Sequence, residues 1–297
     1  MHYPKISIVT PSYNQGKFIE DTILSVIGQF YPNLEYLIYD ANSKDKTVEI
    51  IKKYEEHITY WVSEPDNGQA NAINKGFNRA TGDILMWLNS DDILMPNVLH
   101  YIASNFQEHG NAIFFGNCIH YKSLNPSGLY AFGSNVKNSY CSAPLKLTDS
   151  IIQPSSFWSK EVWELNGNLD EELNFGFDWE WFLRAETNNI RFIPLNKPMS
   201  LYRFHEDHKS GVGGEKRLDE LQTIYNNYSY RYAKLFQLIR NERFELTLFE
   251  RLLFKLVKAV FRKKKISKVM FIKKIRGNKY KGYKSSELER IKGMIYY

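Results

Sequence analysis

The chain has 297 residues, of which 43% are hydrophobic, 15% aromatic and 24% charged; this is a globular balance that excludes a disordered or fibrous chain. Two cysteines in unrelated contexts, Cys118 and Cys141, exclude a disulfide framework or a cysteine zinc site, and no apolar run approaches the roughly 20 residues of a membrane-spanning helix. The net charge of +6 hides two unlike parts: residues 234–297 hold 19 Lys+Arg and 5 Asp+Glu, whereas residues 1–233 hold 20 and 28.

In chain order, residues 6–10 (ISIVT) read as a buried strand that ends at Pro11-Ser12-Tyr13-Asn14. Apolar positions at Phe18, Ile19, Thr22, Ile23, Val26 and Ile27 predict a helix over 17–29. A second strand (35–40), a helix (about 45–54), a third strand (58–62), a helix (68–80) and a fourth strand (83–88) follow. Strands alternating with helices predict an α/β fold of parallel βαβ units, with strands apolar on both faces because helices cover both. Ligands of such sheets collect beyond the carboxyl ends of the strands. Asp40, the segment 64–67, Asp91 and Asp92 all fall at those ends.

Beyond residue 110 the alternation weakens. Residues 112–121 read as a strand, 122–150 as an irregular excursion, 177–187 as a helix, and 199–205 as a strand that runs into a polar loop. From about 216 the pattern is helical and increasingly basic. The first residues, MHYPKISIVT, enter a strand-like run directly, with no charged-then-apolar pattern, and a reducing cytoplasm is the expected compartment.

The stretch DILMWLNSDD sets Asp91 and Asp92 side by side where a buried strand runs out. Like charges that close repel, and burying either without a partner is costly. An oxygen-rich pair of this kind suits magnesium or manganese, which take one or two carboxylates plus substrate phosphates. The alternative is a helix cap ahead of Ile93-Leu94-Met95-Pro96.

Four segments in order, ISIVTPSYNQGKFIEDTILSVIGQ, EYLIYDANSKDKT, SEPDNGQANAINKGFNRATGD and WLNSDD, closely resemble the nucleotide-sugar half of family 2 glycosyltransferases. The resemblance continues more weakly through QPSSFW, GNLDEEL, FDWEWFLR and YRFHEDHKS. It implies the GT-A fold, a Rossmann-like, mostly parallel mixed sheet flanked by helices. Residues 1–215 would form that domain, with 1–110 as the nucleotide-sugar half and 111–215 as the acceptor half, and residues 216–297 a basic helical extension.

The resemblance also implies roles. The loop Thr10-Pro11-Ser12-Tyr13 would wrap the nucleotide base, and Asp40 would hold the base or ribose. Many relatives carry a further Asp where this chain has Ala41. Asp66 and Lys75 match nucleotide-side positions. Asp91 would sit toward the ribose, and Asp92 would ligate a divalent metal, Mn2+ or Mg2+, with His205 as a second ligand; His208 and Lys209 are alternatives in the same loop. Asp178 matches the base that takes a proton from the acceptor hydroxyl, with Glu180 as its rival and a helix cap as its alternative. Phe177 stands where relatives carry an acid. Trp158, Trp163, Trp179 and Trp181 read as a sugar platform or as core.

The expected activity is inverting transfer of a hexosyl or N-acetylhexosaminyl group from a nucleotide-diphosphate sugar to a glycan or lipid-linked glycan. A UDP-sugar comes first as donor, with GDP- and dTDP-sugars as alternatives. The setting would be synthesis of lipopolysaccharide, O-antigen or capsule; the rival reading is a non-catalytic binding module. In residues 246–262, Phe249, Leu252, Leu253, Leu256, Val257 and Val260 share one face, and Arg251, Lys255, Lys258 and Arg262 the other. Arg262-Lys263-Lys264-Lys265 extend the charge. Such a helix either lies on an anionic membrane surface or docks on its own protein. No nucleic-acid reading motif accompanies the charge, and no nucleic acid is expected.

Overall fold

The computed structural model describes residues 3–121, 143–205, 213–242, 246–260 and 267–296. The chain forms two compact units, one of Met1–Ala143 and Ser150–Val212, the other of Pro144–Asp149 and Gly213–Tyr297.

The first unit begins β1 (Ile6–Ser12), α1 (Ile19–Ile27), β2 (Leu34–Asp40), α2 (Thr47–Lys53), β3 (Tyr60–Ser63), α3 (Gln69–Arg79), β4 (Ile84–Trp87). It continues β5 (Ile93–Leu94), α4 (Val98–His109), β6 (Ile113–Tyr121), β7 (Ser156–Ser159), α5 (Lys160–Asn166), α6 (Phe177–Thr187) and β8 (Phe192–Arg203). The strands join one sheet in the order β3-β2-β1-β4-β7-β6-β8-β5. The first four strands are parallel. β7 runs antiparallel to both β4 and β6, β8 is parallel to β6, and β5 is antiparallel to β8. One edge of the sheet thus gathers the carboxyl ends of β1 to β4.

Helices cover both faces, so every residue of β1 and β4 is buried. Ile6, Ile8, Ile38, Ile84 and Met86 meet Ile19, Ile23 and Val26 of α1 in one core. On the other face α3 approaches β1 so closely that a Cβ at Gly76 would overlap the Val9 side chain; only glycine permits that contact. Trp87, Trp158, Trp163, Trp181 and Phe77 pack ring on ring, with centroids 4.5–6.3 Å apart. These tryptophans and Trp179 are buried. They are core, and the sugar-platform reading fails.

Other expectations shift in detail. β3 begins at Tyr60, because residues 55–57 form a short 3-10 turn that leaves Ile58 packed ahead of the strand. β8 begins at Phe192, well before the expected residue 199; Pro194, Asn196 and Pro198 obscure its pattern. It tolerates them because its ladder with β6 is irregular between Phe115 and Cys118. Asp91 and Asp92 cap no helix: β5 follows them, and α4 starts only after Asn97. Most of the 122–150 excursion, His208, Lys209 and Arg262–Lys265 lie outside the described residues.

The second unit contains α7 (Gly214–Tyr228), α8 (Tyr230–Asn241), α9 (Leu248–Val260), α10 (Lys268–Ile275) and α11 (Ser285–Tyr296). Leu221, Ile224, Tyr225, Phe236, Ile239, Ile272, Leu288 and Ile291 are buried in it. Arg276 binds Glu242 at 3.0 Å and Glu250 at 2.7 Å, and Arg231 binds Glu287 at 3.0 Å.

At the amino ends of the parallel strands, Glu35 accepts hydrogen bonds from Lys5 Nζ, Ser7 Oγ, and the amide and hydroxyl of Thr81. Burial alone would raise its carboxyl; these donors outweigh it and bring the pKa from 4.5 to about 2. A depressed carboxyl stabilises the fold fully above its unfolded pKa and loses that contribution as pH falls through the folded one. Glu35→Gln is expected to cost about 2 kcal/mol at neutral pH. The gap from the parent should close between pH 4.5 and about 2, measured by urea unfolding across pH; a gap independent of pH would rule out the carboxylate as its source.

Candidate active site

Three loops at the carboxyl ends of β1, β2 and β3 are tied together by one carboxylate. Asp40 is buried. It accepts the Ser43 hydroxyl at 2.5 Å, the Ser43 amide at 3.0 Å and the Ser63 hydroxyl at 2.5 Å. Ser43 in turn accepts the amide of Asn14 at 2.7 Å, and Asn14, at φ 52°, accepts the amide of Lys44 at 2.9 Å. Asp40 therefore fixes the shape of the mouth. Thr10 and Pro11 are buried beneath it, with Thr10 Oγ1 3.2 Å from Tyr36 Oη. Tyr13, 61% exposed, projects from the first loop.

The next loop leads into α3. Asp66 accepts the amide of Gly68 at 2.8 Å, and Gly68, at φ +105°, takes a conformation that L side chains rarely adopt. Lys75 pairs with Glu64 at 3.0 Å. From the start of α3, Gln69 donates to Asn89 at 2.8 Å, joining this loop to the exit of β4. Asn74 binds Leu169 O and Glu171, which attaches the GNLDEEL segment to the same helix.

At that exit the two aspartates face differently. Asp92 is 1% exposed. Its carboxylate accepts the Arg203 amide at 3.3 Å and lies 3.4 Å from Asn89 Nδ2, and its carbonyl accepts the Thr22 hydroxyl at 2.7 Å. Burial first, and the neighbouring Asp91 second, push its carboxyl well above the usual carboxylate range. Asp91 is half-buried, and its Oδ2 lies 3.0 Å from His205 Nε2. The Arg203 guanidinium holds the turn: Nε donates to Asp91 O at 3.0 Å, and Nη2 to Asp21 at 2.7 Å. It lies between the Phe18 and Tyr121 rings, 4.9 and 5.1 Å from their centroids.

Asp91 and His205 are in direct hydrogen-bond contact, and a carboxylate and an imidazole so placed could also serve together as ligands of a hard ion. Among the described residues no group of three or more His, Cys, Asp or Glu is placed to hold a metal; ions of this class take substrate phosphates and water beside one or two carboxylates.

Beside this turn, Phe177 at the start of α6 meets Trp87 at the end of β4, with ring centroids 6.2 Å apart. Asp178 follows in the first turn of α6; the cap residue is Gly176. Its Oδ1 accepts the adjacent Trp179 amide at 2.8 Å. Glu180 is committed elsewhere, holding Arg184 through two contacts of 3.2 and 2.9 Å, while Arg184 also binds Asn166 O and Asn168 O.

The sequence reading passed over Arg203, Asp21, Asn89 and Gln69. Arg203 lies within the YRFHEDHKS segment, two residues before His205, but its partners come from β4's exit and α1, which only the fold brings near.

A parallel nucleotide-binding half-sheet, extended by antiparallel strands and carrying paired carboxylates at the β4 exit, is the architecture of GT-A glycosyltransferases. The glycosyl transferase family 2 model matches residues 7–158, and the chain belongs to that family. An uncharacterised glycosyltransferase of Mycobacterium tuberculosis is 37% identical over 238 residues, 75% of this chain and 86% of the relative. The GalNAc(5)-diNAcBac-PP-undecaprenol beta-1,3-glucosyltransferase of Campylobacter jejuni is 31% identical over 128 residues, 42% of this chain but 41% of the relative. S. aureus TarS 1–349 in complex with UDP-GlcNAc shares the fold at a TM-score of 0.60 and 20% identity, over 77% of this chain and 68% of that one. A Pyrobaculum calidifontis mannosyltransferase in complex with GDP-Man and Mn2+ does so at 0.58 and 16%, over 99% and 74%. Among the described residues, no helix is long and apolar enough to cross a membrane.

Replacing Arg203 by Met would free Asp21 and the Asp91 carbonyl while keeping the backbone bond to Asp92. Asp21 is partly exposed, so the expected loss is about 2 kcal/mol, below the usual cost of breaking a buried pair. Thermal unfolding would measure it; an unchanged midpoint would mean that the guanidinium does not hold the turn.

Proposed function

We propose that the chain is an inverting, metal-dependent glycosyltransferase that moves a hexosyl or N-acetylhexosaminyl group from a nucleotide-diphosphate sugar to a hydroxyl of a lipid-linked glycan in surface polysaccharide synthesis. The observation that carries the reading is the 3.0 Å approach of Asp91 and His205 at the edge where four parallel strands end. Asp91, in place of the expected Asp92, would hold Mn2+ or Mg2+ together with His205, and buried Asp92 would support the turn. When bound, such an ion neutralises charge on the leaving diphosphate.

The loops held by Asp40, together with Tyr13, would cradle the nucleotide, and Asp66 would shape the entry to α3. Lys75, paired with Glu64, would be a nucleotide-side cation near the pocket. Asp178 would accept the proton of the acceptor hydroxyl while that oxygen bonds to the anomeric carbon from the face opposite the departing diphosphate. Attack from that face inverts the anomeric centre. Glu180 does not compete, because Arg184 engages it. The undecaprenol-linked substrate named for the Campylobacter relative supports a lipid-linked acceptor. The nucleotides bound by the two structural neighbours support a UDP- or GDP-sugar.

Calorimetric titration with UDP, GDP, CDP and dTDP, with and without Mn2+, tests the donor site; metal-dependent binding of one nucleotide is expected, and binding of none would favour a non-catalytic module. Asp91→Asn should abolish the metal dependence of that binding, whereas Asp92→Asn should retain it. The opposite pattern would return the metal to Asp92. Asp178→Asn should leave nucleotide affinity intact and slow transfer by about 100-fold or more; loss of affinity as well would make Asp178 a donor-side residue.

A further inference from the structure

The second unit carries an apolar face turned to solvent. In α9, Leu248 is 80% exposed, Phe249 74%, Leu252 56% and Leu256 63%. At about 100° per residue these four fall within one arc of about 100°. The opposite side of the helix is fastened to its own unit. Phe254 meets Phe271 of α10 at 4.9 Å, and Glu250 holds Arg276 at 2.7 Å. Arg276 draws the Glu250 carboxyl down to about 2, so this anchor is ionised at neutral pH. The helix cannot roll its apolar stripe inward without breaking the Phe254 and Glu250 contacts.

Along one flank of the stripe, Arg251, Lys255 and Lys258 are exposed. They occupy a neighbouring arc of about 60° on the same count. An apolar band edged by cations on one helix matches the boundary of an anionic bilayer, where side chains enter the acyl region and ammonium groups meet headgroup phosphates. The chemistry of the surroundings agrees: residues 234–297 hold 19 Lys+Arg and 5 Asp+Glu. A second copy fits less well, because a two-fold contact through this stripe would set two rows of cations against each other. Nucleic acid offers the apolar band nothing.

We propose that α9 is a membrane-surface element that lies in the interface of anionic lipid through Leu248, Phe249, Leu252 and Leu256. The surface lies in the unit apart from the transfer site, so it stands or falls independently of the reaction assigned above.

Co-sedimentation of the full-length protein with vesicles of phosphatidylcholine, and with vesicles that also contain phosphatidylglycerol, tests it. Binding is expected only to the latter and should weaken with salt. Leu252→Glu/Leu256→Glu should lower binding by about tenfold or more. Lys255→Gln/Lys258→Gln should lower it by about fivefold for each lysine. All four positions are exposed, so both variants should keep the parent's melting temperature and nucleotide affinity. Failure of the parent to bind phosphatidylglycerol vesicles would overturn the proposal. So would equal binding by parent and Leu252→Glu/Leu256→Glu. A dimer in analytical ultracentrifugation that this double variant dissolves would also overturn it, by giving the face to a second copy.

Discussion

Two neighbouring carboxylates at the end of a buried strand are the constraint around which the first unit is organised. Asp91 and Asp92 repel each other, and burial makes the charge on Asp92 more costly still. The fold answers with Arg203, 111 residues further along the chain from Asp92. The Arg203 amide bonds Asp92, and its guanidinium grips the Asp91 carbonyl and Asp21. Asp92 thus faces the interior while Asp91 faces His205. Arg203, through its amide and its guanidinium, joins strand β8, the β4 exit and helix α1, and the two chemically identical side chains end in different surroundings.

The same logic, on a smaller scale, shapes the rest of the mouth. Asp40 accepts three hydrogen bonds and so binds the β1, β2 and β3 exits into one surface. Hydrogen bonds to a carboxylate are among the stronger ones a protein makes, so a rigid rim results from polar groups rather than from packing. The Trp87–Phe177 contact then brings the first turn of α6 beside the acidic turn. The loops of the parallel strands and the segments of the antiparallel extension come together where the sheet changes direction between β4 and β7.

The second unit solves a different problem. Its excess of lysine and arginine is tempered inside by Glu242, Glu250 and Glu287, each paired with an arginine. Those pairs fasten the helices while leaving the apolar stripe of α9 outside. In α9 Glu250 and Phe254 face their own unit, while Leu248, Leu252 and Leu256 meet solvent beside three exposed cations; an apolar stripe turned outward departs from the usual arrangement of a soluble bundle and gives α9 its proposed contact with lipid.

Much of this was legible in the sequence. The alternation of apolar runs with helical periods predicts the βαβ units, because both patterns are local consequences of burying one stripe or two faces. The carboxyl-end loops bring Asp40, Asp66, Asp91 and Asp92 to one edge for the same reason. The order and spacing of its motifs placed the chain in its family. What the sequence could not hold was orientation. Whether Asp91 or Asp92 turns inward depends on Arg203, whether the tryptophans stack as core depends on β7 entering beside β4, and which face of α9 meets water depends on Phe271 and Arg276. Each of these is decided by a partner distant in the chain, and periodicity along a chain carries no information about the distance between residues far apart in it.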